Sequence, residues 1–100
     1  MRVQFAKIPG APERMVCEAE LLFDDGPLEG TKLVGFSLWR TPDGEVYVTL
    51  PARSFGIGND RRFFDFLRVQ DAGDAATKRV KAWILNESKA WILNESKNWA

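Results

Sequence analysis

The chain has 100 residues, with 14 basic and 14 acidic side chains, no histidine and one cysteine. Its length suits one domain with one core, and its 45% apolar and 28% charged content belongs to a globule rather than to a disordered or collagen-like chain. Without histidine and with a single thiol, the commonest general base, the commonest zinc ligand and thiolate clusters are all missing, so metal-dependent and triad chemistry are disfavoured and no metal or cofactor is expected.

No run approaches the roughly 18 apolar residues of a membrane span, and Met1-Arg2-Val3-Gln4-Phe5 lacks the apolar stretch of a secretory signal, which predicts a cytoplasmic protein without membrane contact. Cys17 has no partner for an internal disulfide, in keeping with a reducing compartment. In chain order, Val3, Phe5 and Ile8 open a strand pattern that Pro9-Gly10-Ala11-Pro12 breaks. Met15, Cys17, Ala19, Leu21 and Phe23 then alternate with polar residues such as Glu18 and Glu20, the pattern of a half-buried strand. Asp24-Asp25-Gly26-Pro27 and Glu29-Gly30 read as a solvated turn, since they lack the alternating carboxylates of a calcium loop. Lys32 to Arg40 is the next strand, with Val34, Phe36 and Leu38 expected on one face and Gly35, Ser37 and Trp39 on the other.

Thr41-Pro42-Asp43-Gly44 closes a hairpin into Val46 to Leu50, because proline presets the first turn torsion and glycine accepts a positive φ. Pro51 ends that strand. Ala52 to Asp60 is expected as a loop; its Gly56-Ile57-Gly58 is too short for a phosphate-binding motif. Phe63, Phe64, Phe66, Leu67 and Val69 predict a strand apolar on both sides, central in the fold or covered by a partner, with Arg61 and Arg62 at its entrance. Asp71-Ala72-Gly73-Asp74 supplies helix-start chemistry, and from Ala75 the chain reads as helix. The predicted fold is α+β: an antiparallel sheet of four to five strands followed by a long C-terminal helix.

That helix contains a perfect copy. Lys81-Ala82-Trp83-Ile84-Leu85-Asn86-Glu87-Ser88 recurs at residues 89–96. Eight residues at about 100° each rotate the second copy by about 80°, so equivalent side chains cannot share one stripe. Val80, Ile84 and Trp91 are expected to face the core, and Leu85, Ile92 and Trp99 to point away. Trp83, Trp91 and Trp99 are therefore read as packing or subunit contacts rather than as base-stacking platforms, and Phe64 and Phe66 are read with them as assembly contacts.

Charge is uneven along the chain: residues 1–50 carry 5 basic and 8 acidic side chains, residues 51–100 carry 9 and 6. A basic half attracts phosphate backbones. The succession of an Arg14-Met15 strand, a strand ending near Trp39, a glycine-containing hairpin, Tyr47 to Arg53 closing in Pro51-Ala52-Arg53, a short strand and a helix ending in Leu85-Asn86-Glu87 resembles the SpoVG family of sporulation and septation regulators over about residues 3–88. The resemblance implies a small homodimer that binds DNA or RNA and influences gene expression. By the same resemblance, Arg53 and the helix cations Lys78, Arg79 and Lys81 occupy the family's basic patch; Arg61 and Arg62 join them on charge alone. A different reading is a structural or protein-interaction module that assembles through the helix and the Phe-rich strand. An enzyme built on Asp43, Glu45, Asp65 and Arg62 is disfavoured, because such loop and strand charges are usually solvated.

Overall fold

The stretches that alternate apolar and polar residues pair with their sequence neighbours. A computed structural model describes residues 1–98, with side chains described through residue 95. Four strands, β1 (Arg2–Ala6), β2 (Met15–Leu22), β3 (Lys32–Arg40) and β4 (Val46–Thr49), form an antiparallel sheet in the order β1-β2-β3-β4. Two more, β5 (Ala52–Phe55) and β6 (Arg62–Asp65), pair only with each other, and one helix, α1 (Ala75–Asn98), follows. The architecture is α+β. Among the described residues no helix is long and apolar enough to cross a membrane.

The β3–β4 turn has the chemistry its residues predict. The Gly44 N–H donates to the Thr41 carbonyl (2.9 Å), the Thr41 N–H to the Glu45 carbonyl (2.8 Å), and the Glu45 N–H to Thr41 Oγ1 (3.1 Å). In the acidic loop, Asp24 pairs with Arg2 (3.1 Å) and with the N-terminal ammonium (3.5 Å). The hydrogen bond from Arg2 holds the Asp24 carboxyl below its ordinary range.

One face of the four-stranded sheet carries the core. Cys17, Ala19 and Leu21 of β2, Phe36 and Leu38 of β3, and Val48 and Leu50 are buried, with Val3 and Phe5 of β1 packed against them. Two bulges set the phase of this face. Met15 pairs with Trp39 but Cys17 with Leu38, so Val16 is an extra residue in β2; Ala19 pairs with Phe36 but Leu21 with Leu33, which puts the extra residue in β3. Gly35 sits at the second bulge with φ 105°, and a Cβ there would lie 3.0 Å from the Pro51 Cβ. The inserted residue flips the alternation. Leu33 consequently turns to the core and Val34, expected inward, is 50% exposed.

The helix covers this face, packing against β1 and β4, the two edge strands. Asp74 precedes its first turn: the Asp74 carbonyl accepts the Lys78 N–H and the Thr77 Oγ1 (both 3.0 Å), while its carboxylate pairs with Lys78 Nζ (3.2 Å). The first octapeptide drives Ile84 and Ser88 into the core, both with no exposed surface. The Ser88 hydroxyl donates to the Leu85 carbonyl (2.6 Å), so the buried oxygen is satisfied. The second octapeptide meets different surroundings. Trp91 packs on Phe5 with ring centroids 5.9 Å apart, Ile92 is half-buried, and Leu93 is 58% exposed. Leu85, expected to point away, packs at the margin of the core, as does Trp83. Trp99 lies outside the described residues.

Cys17 is a core residue on β2, 1% exposed, and burial pushes its thiol from an ordinary 9.0 up to about 11. The fold thus favours the neutral thiol. Stability from this site is complete below pH 9 and is lost as pH rises through 11, because the unfolded chain releases its proton first; the limit is about 2–3 kcal/mol at 1.36 kcal/mol per unit. Urea melts at pH 8 and pH 10.5 should differ by more in the native chain than in Cys17→Ala. An equal pH response in the two would show that the thiol is not the cause.

Candidate nucleic-acid interface

β5 and β6 form a two-stranded ribbon beside the main sheet. The Phe66 N–H donates to the Pro51 carbonyl (2.7 Å) and closes its base. The connection contains a 3-10 turn, Gly58–Asp60, in which the Asp60 N–H reaches the Ile57 carbonyl and the Arg61 N–H the Gly58 carbonyl, both at 3.3 Å. Gly56 makes this path possible. It has φ 92°, and a Cβ there would meet the Asp60 carbonyl oxygen at 2.5 Å.

Register decides what the ribbon presents. Arg53 pairs with Phe64 and Phe55 with Arg62, and residues opposite one another or two apart on a strand share a face. One face therefore carries Arg53, Phe55, Arg62 and Phe64; Ala52, Ser54, Phe63 and Asp65 take the other. The Arg53 guanidinium carbon lies 4.7 Å from the centroid of the Phe55 ring, and the Phe55 and Phe64 rings meet edge to face at 5.3 Å. The guanidinium sits over an aromatic face, an arrangement that leaves N–H groups to donate to an anion. Every residue of both strands is exposed, including Phe55 at 46% and Phe64 at 43%. Ile57, at the tip, is 90% exposed.

This arrangement corrects two expectations. The Phe-rich segment is not a central strand: β6 has one neighbour, and Phe63 (70%), Phe64 and Phe66 (63%) are exposed. Ala52–Phe55, expected as loop, is that neighbour. The reason is that Arg53-Ser54-Phe55 and Arg62-Phe63-Phe64 are both Arg-x-Phe triplets, and antiparallel pairing sets each arginine opposite the other triplet's terminal phenylalanine. Phe55, absent from the predicted site, belongs to it, and the repeated triplet is the signal that marks it.

The predicted cations divide. Arg53 and Arg62 share the ribbon face, and Arg61 stands at the entrance of β6. Lys78, Arg79 and Lys81 are exposed on the first turns of α1, where Lys78 is engaged with Asp74. At about 100° per residue, Lys78 and Lys81 lie about 60° apart, whereas Arg79 is about 160° from Lys81, so the helix cations do not form one stripe. Of the predicted assembly residues, Phe64 and Phe66 are on or beside the ribbon, and Trp83 and Trp91 pack on the core of their own chain. No group of three or more His, Cys, Asp or Glu side chains suited to a metal occurs among the described residues.

Because the ribbon depends on Gly56, Gly56→Ala tests it separately from the core. The substitution should cut oligonucleotide binding at least about tenfold while shifting the thermal midpoint of the main sheet by no more than a few degrees, since a positive-φ alanine costs about 1–2 kcal/mol before the clash with Asp60. Fluorescence anisotropy and a thermal melt on the same sample check both. Compared with models of known protein families, with curated proteins and with solved structures, the chain has no match.

Proposed function

We propose that the chain is a small nucleic-acid-binding protein that grips DNA or RNA through the β5–β6 ribbon. The observation that carries this reading is the exposed face on which Arg53 lies over Phe55 and Phe55 meets Phe64. Cations neutralise phosphates and release condensed counterions, which makes binding fall steeply with salt. Exposed aromatic rings stack on unpaired bases with little regard to sequence, so single strands should bind better than duplexes. Pairing of two copies would double a cation set that is sparse on one chain, in line with the homodimeric regulators that the sequence resembles. Anisotropy titration of a labelled single-stranded 15-mer and its duplex, at about 50 and 200 mM salt, tests the proposal. Saturable, salt-sensitive binding that favours the single strand supports it, and no binding at low salt by folded protein removes it.

A second reading has its own observation. Ile57, Phe63 and Phe66 are each more than 60% exposed on the ribbon, and apolar side chains gathered there suit contact with another protein surface. On this reading the ribbon serves assembly alone. Light scattering that shows a large species unaffected by added oligonucleotide would favour it.

A further inference from the structure

Away from the ribbon, a cleft of about 600 Å³ opens where the second octapeptide passes the β1–β2 loop and the adjoining end of the sheet. Its wall is apolar, with Ile8, Pro12, Trp91 and Ile92, and its charged margin includes Arg14 and Arg40. Arg14, just before β2, lies opposite Arg40, the last residue of β3, in the strand register. The Arg40 N–H donates to the Arg14 carbonyl (2.7 Å), continuing the register in which Met15 pairs with Trp39. Like charges directly opposite across a strand pair repel. Neither guanidinium has a carboxylate partner among the described residues, and the one side-chain bond of the pair is a long one, 3.4 Å from Arg40 to the Gly44 carbonyl.

We propose that this cleft binds a small molecule with an aromatic body and one carboxylate, the body lying against Trp91 and Ile92 and the carboxylate between Arg14 and Arg40. A shared anion turns the repulsion of the arginine pair into attraction, and a guanidinium matches a carboxylate with two parallel N–H bonds. The volume lies within the range of small-molecule sites. Lys7, Glu13 and Glu95 border the same cleft, and the two carboxylates disfavour a strongly acidic ligand. The site depends on the second octapeptide, because Trp91 and Ile92 both come from it. It is independent of nucleic-acid binding by the ribbon.

The test uses the full chain with 2-naphthoate and its neutral amide, 2-naphthamide, as probes. Calorimetry should give one saturable site for naphthoate, at least about tenfold weaker for naphthamide, and amide-resonance shifts should gather at residues 8–16 and 91–95. Arg14→Gln and Arg40→Gln, both at exposed positions, should each weaken naphthoate about tenfold, as expected for the loss of one charge-assisted contact. Equal affinity for acid and amide, shifts that gather on residues 52–65 instead, or no saturable binding at millimolar probe would overturn the proposal. The resonance map on the unsubstituted chain decides the matter even where a variant fails to fold.

Discussion

Ile84→Ala should destabilise the fold by about 2–5 kcal/mol, and Ile92→Ala by no more than about 1.5 kcal/mol, although the two isoleucines sit in identical octapeptides. Ile84 has no exposed surface and packs among Cys17, Ala19, Leu21, Phe36 and Leu38, whereas Ile92 is half-buried at the edge of the cleft. Truncating the first leaves a cavity that a sheet pinned on both sides by hydrogen bonds cannot close. Truncating the second removes atoms already partly in water. Urea melts of the two variants measure the difference. A domain of this size has about 5–15 kcal/mol in total, so Ile84→Ala removes a large share of it, and the comparison is best made at the temperature of maximum stability. Equal losses at the two positions would mean that both copies contribute alike to the core, against the rotation of about 80° between them.

The contrast shows where local pattern suffices. The alternation of β2, the Thr41–Gly44 turn and the glycine- and proline-free run from Ala75 each point to one structure through short-range chemistry, and the sheet order follows from short connections between strands that lie next to each other in sequence. The two bulges were not legible. An extra residue is defined by the partner strand, and nothing in Val34-Gly35-Phe36 alone says that Leu33 rather than Val34 will face inward. Gly35 is the nearest signal, since a glycine within a strand often marks a bulge.

The ribbon was half legible. Arg61 and Arg62 stand out by charge and Arg53 by the resemblance, but five apolar residues among seven from Phe63 to Val69 argue for burial, and in a chain with one core they would ordinarily fill it. The core is already filled by apolar residues of β1 to β4 and of the helix, and the Phe-rich strand pairs with β5 alone. Competition for one interior therefore sent the phenylalanines outward. For Phe55 the sequence carries only the repeated Arg-x-Phe triplet, and it is pairing that sets the residue opposite Arg62. The Arg14–Arg40 pair has the same origin, since residues 26 positions apart meet only through the register of β2 with β3.

Replacing Arg53 and Arg62 together by glutamine should remove most oligonucleotide affinity at low salt and leave the melting temperature unchanged within a few degrees. Both side chains are exposed on the ribbon and neither takes part in an ion pair among the described residues, so the fold has little to lose, surface substitutions costing about 0.5 kcal/mol or less. The binding loss has a recognisable form. Each phosphate contact contributes about 0.7 to the slope of log affinity against log salt for a single strand, so the double variant should lower that slope by about 1.4. Phe55→Leu and Phe64→Leu act on the other half of the face. They keep the apolar bulk of the ribbon but remove the stacking surface, which costs about 1–3 kcal/mol per base, roughly 5- to 150-fold, with the salt slope preserved. A lowered slope in the arginine variant and a lowered affinity at constant slope in the phenylalanine variants would separate phosphate neutralisation from base stacking on one ribbon face. If Arg79→Gln and Lys81→Gln lowered the slope while the ribbon variants did not, the helix rather than the ribbon would be the surface that meets the polyanion.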